Sequence, residues 1–312
     1  MAAALITLAS FAGPNGDQPY DTVLVADAAG NLFGVTFGGG AFGNGTVFEV
    51  AKTSTGYAGI PATVVSFNGS DGDTPRGGLI VDAAGNLIGT TVAGGAFNNG
   101  TVFEIARTST GYAGAPTILV SFHDLGGNVL TGNLLADAEG NLIGTMSYGG
   151  TTGAGIVFEI ARTSTGYAST PVTLVNFDGS NREPVNGLVA DAAGNLFGTS
   201  AEGGTSNEGT VFEIARTATG YASAPTTLAS LGNTSGEPAG GLVADAGGNF
   251  FGTTAYGGTY NGGTVFEVAR TATGYASTPT TLVSFSDASG GPSGDLVAIP
   301  PRRLIAFAVD GS

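Results

Sequence analysis

Residues 77–122 read GGLIVDAAGNLIGTTVAGGAFNNGTVFEIARTSTGYAGAPTILVSF, and the chain carries five copies of this phrase. The aspartates that open its DAAGN-like core are Asp27, Asp82, Asp137, Asp191 and Asp245, spaced 55, 55, 54 and 54 residues apart. A fixed period of this size marks a repeat architecture. A residue present in every copy most simply does a job every copy needs, which is structural. Function is therefore sought where the copies disagree.

Within the quoted copy, four short apolar stretches stand between turn signals, at 78–82, 87–91, 101–107 and 117–122. Their lengths suit strands, and Val, Ile, Thr and Phe dominate them. Asp82-Ala83-Ala84-Gly85-Asn86 joins the first two as a tight hairpin, because Asp bonds its own following backbone and Gly supplies a positive φ. Thr108-Ser109-Thr110-Gly111-Tyr112 makes a second hairpin between the third and fourth. Gly89 interrupts the second strand in every copy, where a mid-strand glycine costs about 0.5–1 kcal/mol relative to Ala. Its recurrence implies a close backbone approach or a bulge. Strands three and four are apolar on both faces, with Val102 and Ala106 on one and Phe103 and Ile105 on the other. A sheet covered on both sides by its neighbours reads this way, and four antiparallel strands per copy describe the blades of an all-β propeller. A β-solenoid is the runner-up, but its rungs are usually much shorter.

Composition bounds the rest. Of 312 residues, 42% are apolar and only 11% charged, with net charge −15. Ordinary globular chains are about 25% charged. A negative field of this size repels nucleic acid, which clustered Lys and Arg would have to grip. Six positions per repeat are glycine in all five copies, represented by Gly85, Gly89, Gly94, Gly95, Gly100 and Gly111. Glycine is thus part of the pattern and not filler. There is no cysteine, and His123 is the only histidine. That excludes thiolate nucleophiles and His-based metal sites. No apolar run approaches the roughly 18–20 residues of a membrane span. The N-terminal MAAALITLASFAG lacks a basic n-region and aligns with the repeat's own fourth strand, so it is read as fold and not as a signal peptide.

The units DAAGN at Asp27, Asp82 and Asp191, DAEGN at Asp137 and DAGGN at Asp245, each followed by a VFE[VI]A[RK]T segment, resemble the Gly-rich GloVer (Gloeobacter–Verrucomicrobia) tandem repeat of bacterial "choice-of-anchor" proteins. The resemblance covers nearly the whole chain. It implies a β-rich protein of the bacterial surface or exterior, and it implies no established activity.

The copies span about 22–67, 77–122, 132–177, 186–231 and 240–285, within a single expected domain over 1–312. Residues 296–299 and 304–309 then read as strands one and two of a further copy, whose turn has become Pro300-Pro301-Arg302-Arg303. Residues 5–11 read as a strand four. A closing blade built from 5–11 and 294–309 gives six blades, favoured over five or seven. A longer array of which this chain is a piece is the other reading.

Among the recurrent polar residues, the aspartates are expected to cap hairpins. One carboxylate per turn is too few for calcium, which takes six to eight oxygens. Glu49, Glu104, Glu159, Glu213 and Glu267 lie mid-strand among apolar neighbours and are expected to form inter-strand or inter-blade links. Tyr57, Tyr112, Tyr167, Tyr221 and Tyr275 are expected to anchor turns.

Both constant turns are of the kind that shares one end of a blade, and both variable segments share the other. Loops on a rigid scaffold are where binding usually resides. One variable position reads Gly38, Ala93, Tyr148, Glu202, Tyr256, and another reads Phe42, Phe97, Thr152, Ser206, Tyr260. The inter-blade loops add Asp17, Asp71, Asp73, Arg76, His123, Asp124, Arg182, Glu183 and Glu237. The candidate ligand-binding residues are Phe42, Phe97, Tyr148, Glu202, Tyr256, Tyr260, Arg76, His123 and Arg182, with no catalytic or metal-binding residue assigned. The expected function is a non-catalytic extracellular or cell-surface binding or structural module. The alternatives are a carbohydrate-active enzyme, hydrolase or lyase, using carboxylates of this face, and a structural segment of a longer repeat protein. The expected partner of this monomer is a glycan or a protein, with no nucleic acid, no membrane insertion, no metal and no cofactor.

Overall fold

The computed structural model describes residues 7–19, 23–123, 130, 132–232, 236–286, 291–292, 296–299, 303–305 and 308–309. Among these, every regular element is a strand. The fold is all-β and of the propeller class, each copy of the repeat forming one antiparallel sheet whose strands pair in chain order. The chain divides into two compact units, Met1–His123 and Asp124–Ser312. Blades 1 and 2 belong to the first, blades 3, 4 and 5 to the second.

Blade 2 shows the construction. Ile80–Val81, Leu87–Ala93, Thr101–Ile105 and Thr117–Ser121 are its strands one to four. The two hairpins lie at the same end, because the Arg107 backbone N–H, just past strand three, donates to Asn86 Oδ1 at 2.8 Å. Strand four pairs with a register shift between Val102 and Phe103, and the same shift recurs in the other four blades. Such a bulge adds local twist. The mid-strand glycine marks a close approach. A Cβ on Gly89 would lie 2.7 Å from the Phe103 ring and 2.8 Å from Leu79. Gly34, Gly144, Gly198 and Gly252 face Phe48, Phe158, Phe212 and Phe266 in the same way. The strand-three phenylalanine lies across bare backbone.

In the first unit, Val35, Val47 and Phe67 of blade 1 pack against Leu79, Leu87, Phe103 and Ile105 of blade 2. The Phe67 ring stands edge-on to Phe103 at 4.9 Å. In the second unit, blade 4 is covered on both faces. Leu196, Phe212 and Ile214 meet Val157, Val175 and Phe177 of blade 3, while Phe197, Val211 and Ala229 meet Leu242, Phe250, Phe266 and Val268 of blade 5. This two-sided burial is the reason the strands carry no polar alternation.

A further contact between successive blades joins a glycine to a proline. A Cβ on Gly45 would lie 2.5 Å from Cδ of Pro75, one on Gly209 3.0 Å from Pro238, and one on Gly263 2.7 Å from Pro292. Gly155 faces Pro184 likewise. These four glycines, each just before strand three, thus make room for the proline that opens the next copy. In sequence Pro19 precedes the first copy's Asp27 by one residue more than Pro75 precedes Asp82, and Leu130 stands in the proline's place in the third copy.

The constant polar residues are tied up in structure. In the turn of blade 4, Asp191 Oδ1 accepts the N–H groups of Ala193 and Asn195, each at 2.9 Å, and Oδ2 accepts Asn195 Nδ2 at 2.9 Å. Asn195 Oδ1 in turn accepts the N–H of Arg216 at 2.8 Å. The basic side chains reach toward the preceding blade, with Arg107 paired to Asp27 at 3.4 Å and Arg216 to Glu139 at 3.4 Å. Each cation also caps its own blade's tyrosine, as Arg216 does with Tyr221, 4.7 Å from the ring centre. The mid-strand glutamates lie in the field of these groups. Burial pushes the Glu213 carboxyl up, Asp191 adds to the rise, and Arg270 of the next blade opposes it.

Near the N-terminus, the expected strand at 5–11 differs from what is seen. Residues 7–11 form no ladder, and 5–6 lie outside the described residues. Ser10 N–H donates to the Gly59 carbonyl at 3.2 Å, as Ser230 does to Ser277 at 3.4 Å. The Phe11 ring stands edge-on to Phe48 at 4.7 Å. The stretch therefore keeps the stacking contacts of a fourth strand, but among the described residues no third strand lies beside it to pair with. Near the C-terminus, Val297–Ile299 pairs with Arg303–Ile305, and Val297 opposite Ile305 repeats the register of Val243 opposite Phe251. Residues 300–302, where the altered turn is expected, lie outside the described residues.

Candidate functional site

The variable segments gather at the blade ends away from the constant hairpins. The inter-blade loop is there an extension of strand one, laid antiparallel along the end of strand two. Asp73 stands opposite Ala93 and Arg182 opposite Glu202. Asp17 bridges to Gly38. The turn into the proline forces Gln18, Thr74 and Glu183 to φ of 55°, 56° and 55°. A side chain with φ in this region carries strain of about 1–3 kcal/mol.

In the first unit the site is apolar. Phe42 and Phe97, at equivalent positions of adjacent blades, are 63% and 54% exposed. The Phe97 ring stands edge-on to His123 at 4.8 Å. Arg76 is held along its backbone, its carbonyl accepting Thr90 Oγ1 at 3.0 Å.

In the second unit the site is polar and denser. The charge of Glu183 is the main reason the Tyr148 phenol is pushed up, with burial and Glu202 adding and Arg182 opposing. Arg182 Nη1 pairs with Glu202 Oε2 at 2.8 Å. On the other side of the blade 4 loop, Tyr256 donates its hydroxyl to Glu237 Oε2. That bond pushes the Tyr256 phenol up to about 12, with burial and the charges of Glu237 and Glu208 adding to it. Tyr260, on the same loop as Tyr256, is 64% exposed.

Blade 4 is anchored differently from blades 1 and 2. In blade 1, Thr36 and Thr46 share a buried hydroxyl bond of 2.9 Å, and blade 2 repeats it with Thr91 and Thr101 at 2.9 Å. Glycine precedes both of these pairs, and a Cβ on Gly72 would lie 2.6 Å from the Thr91 methyl. Blade 4 has Ser200 in place of the threonine and Asn181 in place of the glycine. The Asn181 side chain fills the vacated space, fully buried, and its Oδ1 accepts the hydroxyls of Thr210 at 2.6 Å and Thr227 at 3.1 Å. Arg182 and its Glu202 partner follow directly on this plug, on strands lengthened to Asn181–Ala190 and Leu196–Gly203.

The structure thus brings Tyr148, Arg182 and Glu202 together and sets Phe97 against His123. Phe42 and Tyr260 are exposed, and Asp124 lies outside the described residues. Among the described residues, no cluster of three or more His, Cys, Asp or Glu forms a metal cage. No helix of the described residues is long and apolar enough to cross a membrane.

The pattern of the Gloeobacter/Verrucomicrobia repeat matches residues 2–182 and 163–302. The chain belongs to this repeat family. No curated protein matches it. Among solved structures, this member of the Gloeobacter/Verrucomicrobia repeat family is similar to an exo-1,5-α-L-arabinanase from a bovine ruminal metagenomic library, at 12% identity over 86% of this chain and 98% of the other, with a TM-score of 0.47. It is similar to an endo-arabinanase from Bacillus licheniformis, at 13% identity over 85% and 98%, with a TM-score of 0.41. It is also similar to the Bacteroides ovatus protein described as xyloglucan PUL GH43B, at 16% identity and a TM-score of 0.44. There it covers 85% of this chain but spans only about half, 54%, of that one. The expectation of a non-catalytic module is corrected by these neighbours, which are named as arabinanases; at 12–13% identity the likeness itself is one of fold.

Proposed function

We propose that the protein is a carbohydrate-active enzyme that works through the variable ends of its blades, outside the cell or at its surface. One observation carries the reading. The constant carboxylates are committed to turns and blade contacts, whereas at the variable end of the second unit Glu237 accepts the Tyr256 hydroxyl and Glu202 pairs with Arg182. Glycoside cleavage is done by two carboxyl groups flanking the scissile bond, and no metal or thiol need take part. Tyrosine rings beside them offer apolar faces to the C–H surface of a sugar and a hydroxyl to its oxygens. Phe42 and Phe97 offer further stacking surface in the first unit. A surface location agrees with the family and with a chain free of cysteine.

The test is turnover. The purified chain is incubated with a panel of plant and bacterial polysaccharides and new reducing ends are measured. Release that is lost in Glu202→Gln, Glu183→Gln or Glu237→Gln supports the reading. No release from any polysaccharide, or release untouched by all three changes, overturns it.

A further inference from the structure

We propose that copies of this chain associate head to tail, and not as the monomer expected from the sequence. Strand four of blade 5 in one copy seats on blade 1 of a second copy, through the same kind of junction that joins successive blades. The inference does not depend on the carbohydrate-active reading above.

The repeat supplies its own standard of comparison. Val65, Val120, Val175 and Ala229 hold one position on strand four of blades 1 to 4, and each is at most 2% exposed. Inside each unit the next blade covers this position. Val65 lies with Leu79, Leu87 and Phe103 of blade 2, Val175 with Leu196 and Phe212 of blade 4, and Ala229 with Phe250 and Phe266 of blade 5. In blade 5 the same position is Val283, which is 47% exposed, and Leu282 beside it is 44% exposed. The opposite case is found in blade 1. Leu79, Leu134, Leu188 and Leu242, three residues before the repeat aspartate, are at most 7% exposed, whereas Leu24 is 42% exposed. Blade 5 thus leaves open the face that meets a following blade, and blade 1 the face that meets a preceding one.

Each face is open only in part, and the parts are complementary. On blade 5, Leu296 is buried, Pro292 lies against Gly263, and Val297–Ile299 pairs with Arg303–Ile305 as strands one and two of a following blade. The face stays open over strand four. On blade 1, residues 7–11 take the place of a preceding strand four. Phe11 stands edge-on to Phe48 as Phe67 does to Phe103. That face stays open at Leu24, whose equivalent Leu79 packs with Val35, Val47 and Val65 of strands two, three and four of the blade before it. One copy therefore brings strands one and two of a shared blade, and the other brings strand four. Removing Leu24, Leu282 and Val283 from water favours the union.

A contact between two different faces is heterologous, and it closes into a ring or continues as a filament. Within the chain, the variable loops of successive blades adjoin across each junction, as where the Thr74 N–H donates to the Asn44 carbonyl at 3.0 Å. The same junction between copies sets the blade 5 loop of Tyr256 and Tyr260 beside the blade 1 loop that carries Phe42 of the second copy. The variable surface then runs on from one copy to the next.

The experiment measures the mass of the full chain by light scattering over a wide range of concentration. The expected result is a mass that climbs to two or more chains, and a return to one chain in Val283→Arg and in Leu24→Arg. Thermal melts check that both variants fold. A second measurement uses the absence of cysteine. Thr7→Cys and Leu282→Cys fall at the positions of Ile118 and Val64, which flank the core between blades 1 and 2. The two variants are mixed as separate chains and treated with a short bis-maleimide, and a cross-linked pair holding one of each is expected. A mass of one chain at every concentration overturns the inference, as does an assembly that both arginine variants leave intact. Cross-linking found only when one chain carries both cysteines, and never between the mixed chains, also overturns it and assigns the two faces to each other within one chain.

Discussion

Asn181 Oδ1 receives the hydroxyl of Thr210 at 2.6 Å in a space that exists because residue 200 is serine. The threonine found there in blades 1, 2 and 5 would put its methyl into the amide. We expect Ser200→Thr to destabilise by about 1–3 kcal/mol, as overpacking does. Adding Asn181→Gly should recover much of that loss, because glycine followed by a threonine pair is the arrangement of blades 1 and 2. Urea denaturation of both single variants and the double measures the coupling. Strict additivity would mean that the two positions do not share the space.

Gly198 is crossed by the Phe212 ring, and a Cβ there would lie 2.7 Å from it. Gly198→Ala is expected to cost about 1–3 kcal/mol by the same overpacking. Gly179, with nothing within 4 Å and no positive φ, is the control. Gly179→Ala should stay within about 0.5 kcal/mol of the parent. The midpoints of chemical denaturation report both.

Burial raises the Glu213 carboxyl above its usual range, with Asp191 adding and Arg270 opposing. The folded state then holds a proton more tightly than the unfolded chain. Stability from this group is full below the unfolded value of 4.5 and falls as pH rises through the folded one. Glu213→Gln should therefore be as stable as the parent or more so at pH 7, with the difference shrinking as pH falls toward 4. Arg270→Gln should do the opposite at pH 7. Melting temperature as a function of pH reads both signs.

The Tyr256 phenol, pushed up to about 12 by Glu237, provides a spectroscopic handle on the proposed site. Its contribution to stability is complete below pH 10, the ordinary phenol value, and is lost as pH rises from there through 12. Absorbance of phenolate should show Tyr256 among several tyrosines that titrate late. Glu237→Gln should bring it down, and Tyr256→Phe should remove it. An unchanged titration in Glu237→Gln would refute the pairing.

Much of the fold was legible because each blade solves its problems locally. The DAAGN hairpin, the second hairpin and the two-sided burial of strands three and four all follow from one copy of the repeat. The mid-strand glycine announced a close approach, although the ring responsible, fourteen residues on in sequence, is found only from the register. The extension of strand one was not legible. Its residues, Asp73 in one copy and Arg182 in another, share no chemistry, and only the proline beyond them recurs. That proline is the signal that would have revealed it. Nor was the Tyr256–Glu237 pair legible, since its members lie 19 residues apart in segments that share no motif. Composition narrowed the suspects to one end of the blades, and only the pairing of strands showed which of them meet.

The glycine–proline contact has a consequence for inheritance. Where the contact is made, a copy carries the glycine half toward its successor and the next carries the proline half toward its predecessor, as Gly209 does with Pro238 and Gly263 with Pro292. Such a seam is polar, like a plug and socket. A gene that gains or loses a whole copy by unequal crossing-over joins a plug to a socket wherever the break falls. In the sequence of the third copy Leu130 stands in the proline's place. Number of copies and identity of the variable ends can therefore drift separately, and recognition can be rewritten one blade at a time without disturbing the seams between its neighbours.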